Sequence, residues 1–244
     1  MRRSLLYPIL LLLLASLACS VGGIGKEAVI TPTALPTNTP VPNEPLEKSI
    51  YDDFSASHDY WSDLFVVTTQ AKPGMMKSTA KVVDGKLVFE FQDLETYLYK
   101  FITNRAPEDV VIETNAQAFG QAQNGIAVVC RANNEHTAWY EFRVNSLNQY
   151  FIYRYDAAQR DAGKNPYILL KNGGLTIDVF GPSKPNTLRV TCKGAELTLE
   201  VNGKQIATAS DGTLSGKGQT GVGAMSSTLL PVSIKFDYFS YGQP

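Results

Sequence analysis

The stretch NTLRVTCKGAELTLEVNGKQIATASDGTL, residues 186–214, carries the clearest structural pattern in the chain. Apolar and polar residues alternate on both sides of Asn202-Gly203, as expected of a β-hairpin in which each strand buries one face. An Asn-Gly pair favours a type I′ turn, because both central residues of that turn need positive φ angles. A second stretch, KVVDGKLVFEFQ, repeats the pattern around Asp84-Gly85. The two hairpins together predict antiparallel sheet.

The rest of the domain shows the same period of two and almost no helical periodicity. The segment 156–186 is rich in Gly, Pro and Asn, and we interpret it as mostly loop. A hydrophobic content of 44% and a charged content of 18% are typical of a globular chain. These features predict an all-β sandwich or barrel. Its further strands are predicted at 97–103, 110–118, 125–131, 137–145, 149–155, 187–193, 219–225 and 232–240.

The first twenty residues, MRRSLLYPILLLLLASLACS, combine a basic start with an apolar run of 14 residues. That run is too short to span a bilayer, which needs roughly 20 residues. It therefore predicts a secretory signal peptide over residues 1–18. Ser16-Leu17-Ala18-Cys19 resembles the cleavage motif of bacterial lipoproteins, which predicts that Cys19 becomes the lipidated first residue of the mature chain. The alternative is an ordinary signal peptide in which Cys19 has no such role.

Residues 19–46 form a second segment, with five prolines and four threonines between positions 31 and 45. Proline at this density prevents a helix and favours extended conformations, so we predict a disordered Pro/Thr-rich linker. The linker would act as a stalk for a domain at 47–244, and the alternative is a featureless tail. The predicted location is the cell membrane, where the domain is lipid-anchored and faces outside the cytoplasm.

The charge balance argues against one large class of partners. The chain has 22 Lys and Arg residues against 23 Asp and Glu residues. Removal of the leader takes away Arg2 and Arg3, which leaves 20 basic against 23 acidic residues and a net charge of −3. Without a strong basic field, nucleic acid is not expected as a partner.

Two of the three cysteines remain when Cys19 is assigned to lipid, and both lie in apolar strand patterns. Cys130 belongs to GIAVVCR and Cys192 to LRVTCKG. Because an exported protein meets oxidising conditions, we predict a disulfide between Cys130 and Cys192. The bond would close a loop of about 62 residues, which the chain-entropy model values at roughly 4 kcal/mol. The alternative is two buried free thiols in neighbouring strands.

The order of the stretches DDF, GIAVVCR, WYEFRV, YFIYRY, NTLRVTCKGAELTLEVNGKQIA and KFDYF resembles the concanavalin A-like, laminin G-type jelly roll. In particular, it is similar to the exported domains of bacterial lipoproteins described as 3-keto-disaccharide hydrolase-like. The similarity covers Asp52–Tyr241. It implies two stacked antiparallel sheets, adjacent first and last strands, and a concave face that often holds sugar. The stretch DAGKNPYILLKNGGLTIDVFG is longer than the turn usual in that family.

Candidate ligand-binding residues come from the strand pattern TAWYEFRVN and its neighbours. Alternation places Trp139, Glu141 and Arg143 on the face opposite the core. Arg131 and Arg154, on the neighbouring strands, complete the set. An aromatic ring beside charged groups is typical of sugar binding, because the ring stacks on C–H groups while the charged groups bond hydroxyls. The alternative is a solvated face whose cross-strand Glu–Arg pairs contribute little to stability.

Catalysis and metal binding find less support in the sequence. Glycosidases generally use two carboxylates roughly 5 Å or 6.5–9.5 Å apart. No strand carries the acidic spacing of laminarinase-type jelly rolls, and Glu141 has no acidic neighbour on its strand. No catalytic residue, metal ligand or cofactor is predicted, and the alternative is a calcium site to which Asp52 and Asp53 contribute. The only histidines, His58 and His136, are interpreted as turn residues.

These observations favour a surface-anchored bacterial lipoprotein that presents a non-catalytic jelly-roll domain to carbohydrate or another extracellular polymer. One alternative is a glycoside hydrolase of the 3-keto-disaccharide hydrolase type. Another is a protein–protein or cell-wall structural module. The membrane is expected as a partner only through the lipid anchor.

Overall fold

The computed structural model describes residues 49–68, 75–120, 123–182 and 184–244. The predicted signal peptide, the predicted lipidation site Cys19 and the linker 19–46 lie outside the described residues. The single helix among the described residues, α1, has five residues, Ala157–Asp161. None of the described helical structure is long and apolar enough to cross a membrane.

Strands make up most of the described chain. Those before residue 146 are β1 (Ile50–Asp52), β2 (Phe65–Thr68), β3 (Thr79–Val83), β4 (Lys86–Phe91), β5 (Thr96–Phe101), β6 (Val110–Gly120), β7 (Gly125–Ala132) and β8 (Ala138–Asn145). Those that follow are β9 (Gln149–Asp156), β10 (Tyr167–Leu175), β11 (Asn186–Lys193), β12 (Glu196–Val201), β13 (Lys204–Ser210), β14 (Gln219–Met225) and β15 (Val232–Gly242).

The strands form two antiparallel sheets. One sheet has the order β13-β12-β11-β6-β15-β4-β3, and β1 pairs with β15. The other sheet has the order β10-β9-β8-β7-β14-β5-β2. Their facing sides share one hydrophobic core, and the first and last strands are adjacent. The predicted two-sheet jelly-roll sandwich is therefore confirmed.

Both predicted hairpin turns are present. Asp84 and Gly85 have φ angles of 51° and 68°, and Asn202 and Gly203 have φ angles of 52° and 81°. Positive φ at both central positions is what a type I′ turn requires, so the residue types chosen at these two corners match the backbone. The turns set the pairing of β3 with β4 and of β12 with β13.

The core side of β8 follows the predicted alternation. Tyr140, Phe142 and Val144 are buried between the sheets with Val190 and Leu199 from the opposite sheet. Because successive side chains of a strand point to opposite faces, the same register sends Trp139, Glu141 and Arg143 to the outer side of their sheet.

The segment 156–186 contains more regular structure than expected. Its prediction as mostly loop is wrong for α1 and for β10, a nine-residue strand at the sheet edge. The register of β10 against β9 shifts twice, between Leu169 and Lys171 and between Asn172 and Leu175. These bulges interrupt the period of two, and Gly173-Gly174 is a pair typical of turns. For both reasons the sequence did not predict a strand here.

The predicted disulfide is confirmed. Cys130 of β7 and Cys192 of β11 are bonded, with their Cα atoms 6.8 Å apart. The two strands belong to different sheets, so the bond ties the sandwich together through its core. All described residues belong to one compact unit that contains both sheets and this bond.

We predict that replacing both Cys130 and Cys192 by Ala lowers the free energy of unfolding by about 4 kcal/mol, because the bond closes a long loop in the unfolded chain. Urea denaturation of the two proteins measures the difference. The control is the unmodified domain with and without reductant. Reduction should lower its free energy of unfolding by the same amount as the double substitution does. Two thiols titrating in the native, oxidised domain would contradict the bond itself.

Candidate functional site

The residues predicted on the outer face of β8 do lie there, but they are covered. Trp139 and Glu141 have no exposed surface, and Arg143 is 6% exposed. Both sequence interpretations, a sugar-binding platform and a solvated face, assumed that this face is open. The predicted direction of the side chains is confirmed, and their expected exposure is wrong.

Small residues on the central strands make room for the side chains that cover this face. The central strands β7 and β14 place small residues such as Ala127, Gly221 and Gly223 on this face. A Cβ atom at Gly223 would lie 2.4 Å from the ring of Tyr99, so only glycine leaves room for that ring. Tyr99 of β5 therefore extends across β14 and β7 to reach Glu141 on β8.

Glu141 is saturated with hydrogen-bond donors. Its Oε2 accepts from the Tyr99 hydroxyl at 2.7 Å and from Trp139 Nε1 at 3.2 Å. Its Oε1 accepts from Arg143 Nε at 2.7 Å and also from Arg143 Nη2. A buried carboxylate needs this number of partners, because the cost of removing its charge from water is several kcal/mol.

The Arg143 guanidinium is enclosed by tyrosine rings. Its central carbon lies 4.9 Å, 4.7 Å and 4.8 Å from the ring centres of Tyr97, Tyr153 and Tyr167. Although burial lowers the pKa of Arg143, the Glu141 carboxylate raises it, and the net direction is well above its ordinary value. Burial, and then the Glu141 charge, raise the pKa of Tyr167 well above its ordinary value, so that phenol stays neutral.

The remaining cover is a continuous layer of rings. Trp139 stacks on Tyr155 with ring centres 3.7 Å apart, and His136 stacks on Phe101 at 3.9 Å. His136 also joins Gln219 through a 2.8 Å hydrogen bond. The sequence held a signal for this layer, since TYLYKF and YFIYRY place aromatic residues at alternate positions. Aromatic residues at alternate positions of two strands indicate that the outer face of this sheet is also buried, in addition to the face toward the core.

The open part of this face is a cleft of about 580 Å³ beside the aromatic layer. It lies where the ends of β2, β5 and β14 meet the segment that joins α1 to β10. Tyr97 is half-buried on one wall and stacks on Tyr167 at 4.8 Å. The residues that define its chemistry are Val67, Glu95, Tyr97, Arg160, Lys164, Tyr167 and Met225. Sequence reasoning missed this cleft because it assigned no site to the segment 156–186.

Arg131 and Arg154 do not join Glu141 and Arg143. Arg131 has a φ angle of 54°, and its side chain donates to the carbonyls of Glu108, Gly194 and Leu214. The positive φ angle breaks the alternation from which its place was predicted. It ties connections at one end of the sandwich and is buried there.

Arg154 lies on β9 but on the opposite face from Glu141. It pairs in register with Tyr140, a core-side residue, whereas Tyr153 is the partner of Glu141. Its guanidinium binds Asp211 and donates to Thr213 Oγ1 at 2.7 Å. The binding set proposed from the sequence is therefore split among three places in the structure.

The aspartates considered for calcium are engaged by protein donors. Asp52 Oδ1 accepts from the Phe54 N–H at 2.8 Å. Its Oδ2 accepts from the Tyr60 hydroxyl at 2.8 Å and from Trp61 Nε1 at 2.7 Å. Among residues 49–68, 75–120, 123–182 and 184–244, no group of three or more His, Cys, Asp or Glu residues is placed to hold a metal ion. Asp52 thus fastens the chain after β1 to the sandwich.

One carboxylate alone faces outward from the described central strands of this sheet. The register of β5, β7, β8, β9 and β14 gives their other outward positions to aromatic, small, apolar or amide residues and to Arg143. Glu141 is consequently without an acidic partner on the sheet face, and its own oxygens are occupied. Two-carboxylate glycoside hydrolysis has no second group on these strands.

No protein-family model and no curated protein matches this sequence. Solved structures do match the sandwich at low sequence identity. The carbohydrate binding module CBM66 from Bacillus subtilis aligns with 13% identity and a TM-score of 0.51, covering 65% of this chain and 88% of that chain. A Bacillus subtilis protein of unknown function with a galectin-like fold aligns with 11% identity and a TM-score of 0.57, covering 80% and 94%.

An enzyme also shares the architecture. A Bacillus licheniformis beta-glucanase aligns with 11% identity and a TM-score of 0.53, covering 80% of this chain and 98% of that chain. At these identities the likeness carries the fold alone, because jelly rolls support many unrelated functions. Together with the strand order and the shared core, it establishes that residues 49–244 of this chain form a concanavalin A-like jelly-roll domain.

Proposed function

We propose that this chain is an exported lipoprotein whose jelly-roll domain binds carbohydrate in the cleft beside Tyr97, without catalysis. The observation that carries the proposal is the cleft itself, whose volume of about 580 Å³ lies within the range of small-molecule sites. It is also the open part of a sheet face that is otherwise filled by side chains.

The lining of the cleft combines the two elements that sugar recognition needs. Tyr97 and Met225 offer apolar surface for the C–H face of a pyranose ring. Arg160, Lys164 and Asn165 supply charged and amide donors around that surface. The buried Arg143–tyrosine cluster fixes Tyr97 and Tyr167 from below, so this wall is rigid before a ligand arrives.

The structural neighbours support the choice of ligand class. One is a carbohydrate binding module and another is a beta-glucanase, so this architecture serves sugar recognition in both proteins. The neighbours support carbohydrate as a ligand class by analogy of fold only. The kind of sugar is inferred from the residues that line the cleft of this chain. Among the charged lining residues, the cations Arg160 and Lys164 outnumber the carboxylate of Glu95, which favours a sugar that carries a carboxylate or sulfate.

Catalysis is left out of the proposal because Glu141, the carboxylate on the outer face of the central strands, has a structural role. Glu141 is fully buried and accepts from three side chains, so no substrate oxygen can approach it without dismantling the aromatic layer. A general acid must instead lie within hydrogen-bond reach of its substrate. Glu141 is thus the partner of Arg143 and does not serve as the acid of a glycoside hydrolase.

The cellular setting remains part of the proposal. The leader 1–18, Cys19 and the Pro/Thr-rich segment support a lipid-anchored domain held outside the cytoplasm on a stalk. A disulfide between Cys130 and Cys192 fits an oxidising compartment.

We predict that Lys164→Ala and Tyr97→Ala each weaken glycan binding by about tenfold or more, which corresponds to roughly 1.4 kcal/mol for a central contact. The measurement is a glycan array with the domain 43–244, followed by titration of each hit. Tyr51→Ala is the matched control, because it removes an exposed tyrosine from the other sheet. Unchanged affinity in both cleft variants, with binding retained, would place the site elsewhere.

We also predict that Glu141→Gln lowers the free energy of unfolding by about 3 kcal/mol, because it leaves the buried Arg143 charge without its counter-ion. Urea denaturation measures the loss. The control is Glu113→Gln, which breaks the partly exposed pair with Arg189 and should cost about 1 kcal/mol or less. If Glu141→Gln instead kept full stability while abolishing release of reducing sugar, Glu141 would be a catalytic acid.

A further inference from the structure

Exposed apolar side chains are concentrated at one end of the sandwich. Antiparallel pairing brings the connections β4–β5, β6–β7, β8–β9, β10–β11 and β14–β15 to the same end, as the pairing of Gly125 with both Asn145 and Met225 illustrates. Of the eleven large hydrophobic residues that are exposed in the described chain, seven lie in these connections or at the adjoining strand ends. They include Leu94, Leu147, Leu175, Ile177, Phe180 and Leu229. We call this surface the apolar end.

The most prominent part of the apolar end is the connection between β10 and β11. Leu175 is 77% exposed and Ile177 is 89% exposed. Thr176, between them, donates its N–H to the Asn148 carbonyl at 2.8 Å and its hydroxyl to Asp178 at 2.9 Å. The polar residue is therefore turned toward the protein while both aliphatic neighbours are presented to solvent.

Asparagine side chains hold the backbone of this connection. Asn148 Nδ2 donates to the Val179 carbonyl at 2.9 Å, and Asn202 Nδ2 donates to the Asp178 carbonyl at 2.7 Å. Asn186 accepts from the Phe180 N–H at 2.7 Å and donates to its carbonyl at 2.9 Å. These backbone groups are satisfied without water, as an environment of low polarity requires.

One basic side chain lies beside this connection. Lys184 lies over the Phe180 ring, with its ammonium 5.5 Å from the ring centre. Lys184 forms no ion pair with any residue that the structure describes, whereas Lys204 pairs with Asp178 of this connection. An apolar tip with the Lys184 ammonium beside it suits the interface of a bilayer, where aliphatic groups enter the acyl boundary and ammonium groups meet anionic headgroups.

We propose that the apolar end is a lipid-binding surface that inserts Leu175 and Ile177 into the headgroup–acyl boundary of an anionic membrane. Its members are separate side chains on several loop tips, which suits insertion into a fluid phase better than packing into a rigid partner. They are mainly aliphatic, and Phe119 and Phe180 are the aromatic members. The contact adds to the predicted lipid anchor and does not require it.

The test uses the domain 43–244, which lacks Cys19 and contains both sheets, the core and the disulfide. It is sedimented with vesicles of phosphatidylcholine alone or with about 30% phosphatidylglycerol. We expect partition onto the anionic vesicles and weaker partition onto the neutral ones. The double variant Leu175→Ser/Ile177→Ser should lower partition by about tenfold or more, because two buried aliphatic groups are lost.

The control is the double variant Val83→Ser/Leu169→Ser, which removes two exposed aliphatic residues away from the apolar end. It should partition like the unmodified domain, and thermal unfolding should show that both variants are folded. Failure of the unmodified domain to bind anionic vesicles, or equal loss in both double variants, would overturn the proposal. Self-association in light scattering that only Leu175→Ser/Ile177→Ser removes, without vesicle binding, would instead assign the surface to a second copy of the chain.

Discussion

The buried pair of Glu141 and Arg143 is the constraint on which the outer face of this sheet depends. Two charges removed from water are tolerated only when hydrogen bonds and close opposite charge replace the lost solvation. Tyr99 and Trp139 supply the missing donors, and three tyrosine rings enclose the guanidinium. Small residues on β7 and β14 are then necessary, because the Tyr99 ring lies over them on its way to Glu141.

The fold could be predicted from the sequence because its information is local. Alternation fixed the core side of β8, and positive-φ residue pairs fixed the corners at Asp84-Gly85 and Asn202-Gly203. The disulfide followed from two cysteines in strand patterns and an export context. Strand β10 was not predicted, because its two bulges break the period of two. Periodicity is the signal from which a strand is predicted, and it is lost at such bulges.

The site could be predicted only in part, since exposure is not a local property. The sequence places Trp139, Glu141 and Arg143 on one face, but their burial depends on side chains from β5 and β10, which are distant in the chain. Arg131 was misplaced by a single positive φ angle, which turns its side chain out of the alternation. The cleft is lined by the ends of strands and by the segment after α1. These parts are far apart in the chain, so no residue spacing in the sequence predicts that they meet.

The cleft and the apolar end share one connection, so a membrane bound at the apolar end would limit what the cleft can hold. Ser227 lines the cleft, and Leu229, two residues later, belongs to the apolar end. The Ser227 carbonyl accepts from the Glu95 N–H at 3.0 Å, which fixes this connection beside Leu94, another member of the apolar end. With Leu175 and Ile177 in a headgroup layer, the cleft would open close to that layer. Its ligand would then be a glycan held near a membrane surface, where the cationic rim of Arg160 and Lys164 would also be drawn toward anionic lipid.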